Sequence, residues 1–292
     1  MTREEQAALV ALLRRPKVGW SAVTELLEEH VSVQAVADAV APAQGTLFDG
    51  SDRSDAEEAS ADLERWARAG IRMVSILDPE YPSNLREIHQ RPPVLFMQGA
   101  TDERDAMSVA VVGTRKPAPH GIKQAGELAA GLAKRGIPVI SGLAAGIDTA
   151  AHTAALTADG RTVAVIGTGI DRVYPPQNRR LQDEIVAKGL VISQFLPGSP
   201  PTKASFPMRN AVMSGYTLAT VVVEAAYRSG ARMQARLALE HGRHVFLLRS
   251  LLEHDWARSY AQRPGVTIVD NAGDVLEGLQ RLMPESAELV WA

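Results

Sequence analysis

From Ser108 onward the chain alternates between short β-branched apolar runs and Ala-rich stretches with helical spacing, and this alternation leaves few architectures open. Strands are expected at 108–113, 138–141, 162–167, 190–194, 219–223, 244–248 and 266–269, and helices over 119–135, 147–158, 178–188, 231–241 and 273–282. Runs such as Val109-Ala110-Val111-Val112 and Val221-Val222-Val223 show no polar alternation, so both faces of those strands must be covered. An α/β fold follows: a Rossmann-like, doubly wound, mostly parallel sheet. Ligands of such sheets sit outside the carboxyl ends of the strands, so those ends are where function is sought.

The first hundred residues read differently. Leu9, Leu12, Leu13, Val23, Leu26 and Leu27 recur at helical spacing between Glu4 and Val40, which predicts a small bundle of short helices broken at Arg15-Pro16 and Val18-Gly19. Residues 41–58 hold Gly, Asp, Ser and Ala with few large apolar side chains and read as a linker. A helix at 59–69 and a strand at 71–76 lead to Asp78-Pro79-Glu80-Tyr81-Pro82, and Arg91-Pro92-Pro93-Val94-Leu95-Phe96 reads as a lead-in strand. The expected division is 1–58 helical domain and linker, 59–107 lead-in helix and strand, and 108–292 sheet domain.

The whole chain carries 31 basic and 34 acidic side chains, a formal −3 that by itself points away from nucleic acid. By segment, residues 1–107 hold 11 basic and 19 acidic (−8), 108–250 hold 17 and 8 (+9), and 251–292 hold 3 and 7 (−4). The net value is therefore an average over an acidic head, a basic sheet domain and an acidic tail. Twenty-five of the basic residues are Arg, whose planar fork suits phosphate, although a GC-rich genome accounts for the same bias. The absence of cysteine excludes disulfides, thiol nucleophiles and Cys-based zinc sites. No apolar run approaches the ~18 residues of a membrane span, and the N-terminus lacks a basic lead before an apolar core, so the cytoplasm is the expected address.

The first strand of the sheet domain runs into Gly113-Thr114-Arg115-Lys116, a turn in which backbone N–H groups and two cations can face a phosphate. It is not the GxGxxG of a dinucleotide site, and neither GxSxG nor GxxxxGK[ST] occurs, so no cofactor, nucleophilic catalysis or P-loop hydrolysis is expected. The next two strands end in Ser141-Gly142 and Gly167-Thr168-Gly169, extending a rim of small residues and free backbone donors that favours an anionic ligand. Asp148 and His152 stand one helical turn apart, but with no third ligand they read as a helix-capping Asp and a packed His, and no metal is expected. Lys203, Phe206, Arg209 and Asn210 follow in what reads as a loop. Two cations around an aromatic ring is the combination used on single strands, against the alternative of a core Phe between solvated charges. Glu224 ends the strand at 219–223 and reads as a cap or an ion-pair partner of Arg228 or Arg232, the alternative being a general base.

Taken as an ordered set, these motifs resemble the DNA-processing protein A (DprA/Smf) family. The matching text runs from Asp78-Pro79-Glu80-Tyr81-Pro82 and Leu85-Arg86-Glu87-Ile88 through Gly113-Thr114-Arg115, Ser141-Gly142-Leu143-Ala144, Gly146-Ile147-Asp148, Gly167-Thr168-Gly169 and Tyr174-Pro175 to Phe206-Pro207, Arg209-Asn210, Val222-Val223-Glu224-Ala225 and Ser229-Gly230, covering roughly 70–250. The N-terminal helices resemble the family's small SAM-like domain. The resemblance implies an extended Rossmann core that is not an enzyme, binds single-stranded DNA without sequence preference, dimerises, and helps load the RecA recombinase in natural transformation. On the matching positions, Arg115, Lys203 and Phe206 would hold phosphates and stack a base, with Arg209 lining the same pocket. Ala211 stands where the family usually has Arg, Arg232-Met233-Gln234-Ala235 replaces an apolar motif, 248–256 departs from a Gly/Asn-rich segment, and a member without the C-terminal winged-helix domain is expected. The alternative of the same superfamily is a nucleotide sensor or nucleotide-processing enzyme, in phage defence for instance, with Glu224 as its base.

Overall fold

The computed structural model describes residues 1–15, 18–30, 32, 33, 35, 36, 50–227 and 229–282. Arg228 and much of the expected 41–58 linker lie outside them. The helices are α1 (Arg3–Arg14), α2 (Trp20–His30), α3 (Gly50–Arg68), α4 (Pro119–Ala133), α5 (Ile147–Thr157), α6 (Arg179–Lys188), α7 (Ser205–Tyr216), α8 (Gly230–Glu240), α9 (Asp255–Ala261) and α10 (Ala272–Leu282). The strands are β1 (Ile71–Ser75), β2 (Val94–Gly99), β3 (Val109–Val112), β4 (Val139–Ser141), β5 (Thr162–Val165), β6 (Leu190–Ser193), β7 (Ala219–Val222), β8 (His244–Leu248) and β9 (Val266–Val269).

Among the described residues all nine strands form one sheet, in the order β1-β2-β6-β5-β4-β3-β7-β8-β9. From β6 to β9 neighbours are parallel, and every residue of β3, β5, β6 and β7 is buried, as their uninterrupted apolar runs require. Helices supply the cover: α4 packs against α5 and α10, and α5 against α6, while α7 packs against α8 and the short Ser83–Arg86 turn. The α/β, Rossmann-like expectation holds, with the small helical part in front of it.

Two features were not legible locally. Residues read as a lead-in supply β1 and β2, which extend the same sheet antiparallel beyond β6. A buried polar joint ties this part to the parallel core: Arg161 donates to both Asp105 carboxylate oxygens at 2.6 and 2.7 Å, and the Tyr216 hydroxyl donates to one of them at 2.8 Å. The motif Asp78-Pro79-Glu80-Tyr81-Pro82 braces the segment between β1 and β2, since the Tyr81 hydroxyl donates to Pro92 O at 2.7 Å and the Arg86 guanidinium donates to the carbonyls of Ile76 and Asp78. The second feature is α7, which corrects the reading of 202–210 as a loop.

In the acidic head, α1 packs along α3, with an ion pair from Arg14 to the mostly buried Asp62. Arg91 pairs with Glu28 on α2 and so fastens the head to the turn before β2. Among the described residues no helix is long and apolar enough to cross a membrane.

Candidate functional site

The chain leaves β3 for β4 on one side of the sheet and returns through α7 to β7 on the other, so β3 marks the topological switch point. A cleft of about 470 Å³ opens there, at the carboxyl ends of β3, β4 and β7, where such sheets bind ligands. It is lined by Gly113, Thr114, Arg115 and Lys116 after β3, by Ala144 and Asp148 after β4, by Phe206, Arg209, Asn210 and Met213 of α7, and by Ala226, Ser229, Gly230, Ala231 and Gln234 around the start of α8. A smaller hollow of about 130 Å³ shares Arg115, Ala144, Phe206 and Arg209 with it and adds Gly142, Gly167, Thr168, Tyr174 and Pro175. Ten of the expected site residues therefore converge, while Ser141, Gly169 and Lys203 line neither space.

The aromatic centre is Phe206. Its ring lies half-buried with the Arg115 guanidinium carbon 4.9 Å from its centroid and the Tyr174 ring 5.7 Å away, tilted by 42°. Arg115 and Lys116 are exposed, and the Thr114 hydroxyl accepts from the Lys116 N–H at 3.2 Å, which shapes the turn. Lys203 is exposed in the turn before α7. Tyr174 was not singled out from the residues, since nothing local shows that a loop after β5 reaches the first turn of α7.

The expected rim of free backbone donors is corrected. Asp148 accepts from the N–H of Gly142 at 3.1 Å and of Ala144 at 3.4 Å, Thr114 N–H is spent on Glu224 O at 2.7 Å, and Gly169 N–H on Ser199 O at 2.9 Å. The Ser141 hydroxyl donates to Val111 O at 2.7 Å. The glycines make room for side chains: a Cβ on Gly142 would overlap the Arg209 guanidinium, and one on Gly167 would stand 3.0 Å from the Phe206 ring. Cationic side chains, more than backbone N–H groups, are what this site offers an anion.

Arg209 and Asn210 line the cleft as expected, but as buried side chains. Arg209 is only 5% exposed and donates to Gly142 O at 2.5 Å, Val165 O at 2.7 Å and Asn210 Oδ1 at 3.0 Å, while the Asn210 amide donates to Gly230 O at 3.4 Å. Both are struts that lock α7 to the ends of β4 and β5 and to α8. Burial presses the Arg209 pKa down, with the Asp148 carboxylate opposing. Asp148 is itself 5% exposed, and burial raises its pKa. Gln234, oriented by its partners, donates to Asn210 O at 3.1 Å and accepts from Ser214 N–H at 3.2 Å, holding α8 on α7.

The packed reading of His152 holds. The Thr162 hydroxyl donates to Val139 O, so it accepts from His152 Nδ1–H at 2.7 Å, leaving Nε2 buried without a partner. Burial pushes this imidazole from 6.5 down to about 3. Between those values the unfolded chain carries a proton that the folded chain does not, so stability is full above the unfolded value and falls as pH falls through the window. His152→Leu is expected to lose less stability than the parent between about pH 7 and about pH 4 in urea titrations. Equal losses would assign the acid sensitivity elsewhere, with His241, pushed to about 4 by burial, the next group to replace.

Glu224 accepts from the Ala118 N–H at 3.3 and 3.2 Å, capping the start of α4, and lines neither space. That is its capping reading. Arg232 instead engages Tyr227.

Comparison with known proteins agrees with this architecture. The family model for DNA recombination-mediator protein A matches residues 72–280. Protein Smf of Synechocystis is 45% identical over 190 residues, 64% of this chain and 48% of that protein, so the chain spans about half of that relative. DNA processing protein DprA of Streptococcus pneumoniae is 42% identical over 216 residues, 74% of this chain and 70% of that protein. The solved structure of DprA from Streptococcus pneumoniae matches with a TM-score of 0.77 at 34% identity, covering 95% of this chain and 98% of that one. That of the Helicobacter pylori protein, described for its single-stranded DNA binding mode, matches at 0.65 and 26% identity, covering 73% and 97%. By the family model and by these relatives, the chain belongs to the DNA recombination-mediator protein A family.

Proposed function

We propose that the cleft binds single-stranded DNA without sequence preference, and that the chain acts as a homodimer in recombination or natural transformation, sheltering incoming strands and helping to load RecA. The observation that carries the reading is the exposed Arg115 guanidinium lying 4.9 Å from the Phe206 ring at the wall shared by both cavities. A cation fixed beside an aromatic face holds a phosphate while the neighbouring base stacks, and every base has such a face, so the contact is indifferent to sequence. Lys116 adds exposed charge to the cleft wall, and Lys203 is exposed in the turn before α7. The family relationship and the single-strand binding of the Helicobacter pylori protein support the same substrate. The reading is of binding without chemistry, and the engagement of Glu224 with the Ala118 N–H at the start of α4 supports it.

The test compares single-stranded with double-stranded DNA in gel shifts at several salt concentrations. Single strands should bind more tightly, with log K falling by about 0.7 per phosphate contact for each decade of salt, and Arg115→Ala/Lys203→Ala should flatten that slope. Unchanged affinity of the double variant for oligo-dT sinks the assignment. A mononucleotide that displaces oligo-dT stoichiometrically at low concentration would favour nucleotide sensing instead.

A further inference from the structure

We infer that Tyr227, next in the chain to the cleft-lining Ala226, is a second base-stacking station for a strand that runs on past the main site; this rests on the reading of the cleft as a single-strand site. The Phe206 end is the one the cleft shares with the smaller hollow, and none of residues 226–234 reaches that hollow. Tyr227 follows Ala226, which lines the cleft together with Ser229 and Gly230.

Tyr227 is 65% exposed, the most exposed large apolar side chain among the described residues. An aromatic ring left in water beside a cleft-lining residue is open to a stacking partner, because burying it is favourable. Arg232 holds it there. Its guanidinium carbon lies 4.3 Å from the ring centroid, and its Nη1 donates to Tyr227 O at 3.1 Å, so one residue grips both ring and backbone. With one face against Arg232 and 65% of the residue exposed, the ring presents its other face to solvent.

Described residues before and after the tyrosine are held by hydrogen bonds. Before it, the buried Trp256 donates its indole N–H to Ala225 O at 3.3 Å. After it, the Ser229 hydroxyl accepts from Ala231 N–H at 3.1 Å and caps α8. The result repeats the guanidinium-beside-ring arrangement of Arg115 and Phe206, with one such pair in the cleft wall and the second next to the cleft-lining Ala226 and Ser229. A strand with regularly spaced bases suits two stacking platforms, whereas a single nucleotide fills only one.

The experiment measures affinity for a thymidine dinucleotide, which occupies the main site alone, and for an oligo-dT long enough to pass over the rim. Tyr227→Ala should weaken the long strand about five- to tenfold, near the low end of the stacking range, and leave the dinucleotide unchanged. Tyr227→Phe should keep the parent affinity, and iodouridine in the long strand should photocrosslink to Tyr227. Parent-like binding of the long strand by Tyr227→Ala, or an equal loss for both ligands, overturns the inference. Arg115→Ala separates the two readings: if it loses both ligands while Tyr227→Ala is silent, only the second station fails. If Arg115→Ala is silent as well, the cleft itself is not the site.

Discussion

Replacing Arg209 with methionine is expected to lower folding stability by about 3–5 kcal/mol, seen as a lower urea midpoint at unchanged m-value. The guanidinium is buried and donates to carbonyls at the ends of β4 and β5, so its removal strands Gly142 O and Val165 O inside the protein. It also takes the neighbouring positive charge away from buried Asp148. Carbonyls left buried without a donor, together with a desolvated carboxylate that loses a neighbouring opposite charge, are costly to folding. Two further variants distinguish this cause from lost packing. Arg209→Met/Asp148→Asn should recover part of the loss, because the uncompensated charge is gone, whereas Gly142→Ala should resemble Arg209→Met, because its methyl overlaps the guanidinium. A parent-like midpoint for Arg209→Met would mean that Arg209 is a binding cation after all and not a strut.

The parallel core was legible because its strands announce themselves: 219–223 was expected and Ala219–Val222 found, 266–269 was expected and Val266–Val269 found. A strand buried on both faces is an uninterrupted apolar run, and that is a local signal. The antiparallel β1 and β2 were seen as segments but not as members of the sheet, since their pairing with β6 is long-range. The stretch 202–210 reads as a loop, yet from Ser205 it is helical in spite of Pro207. That proline stands in the first turn of α7, where the amide it lacks has no intrahelical partner to lose.

At the site, residue type was readable and burial was not. Gly113, Arg115 and Phe206 do meet in one cleft, but the donors that glycine turns seemed to leave free are consumed by Asp148 and the Glu224 carbonyl. Arg209 looked like the equal of Lys203 from its spacing. Only the fold shows one to be a strut and the other a surface charge, so substitutions of the two should diverge, Arg209 in stability and Lys203 in salt-dependent affinity.

The largest effect on binding is expected from Arg115→Ala and Phe206→Ala together, and the arithmetic of the two singles is as informative as the loss itself. Phe206→Ala should weaken oligo-dT binding by about 1–3 kcal/mol through lost stacking. Arg115→Ala removes a phosphate contact and the cation beside the ring, and cation–π attraction of this kind is worth about 0.5–2 kcal/mol depending on solvent. Each single variant already breaks the contact between the two side chains, so the double variant should lose about 100-fold, less than the product of the singles. Arg115 is exposed, and Arg115→Ala should leave the urea midpoint unchanged, which separates its effect from unfolding. Gly167→Ala offers an independent approach, because its methyl would stand 3.0 Å from the Phe206 ring and displace it without removing it. If the singles multiply fully, guanidinium and ring act on different parts of the strand and the shared stack is wrong; if neither single weakens binding, the strand lies elsewhere on the basic domain.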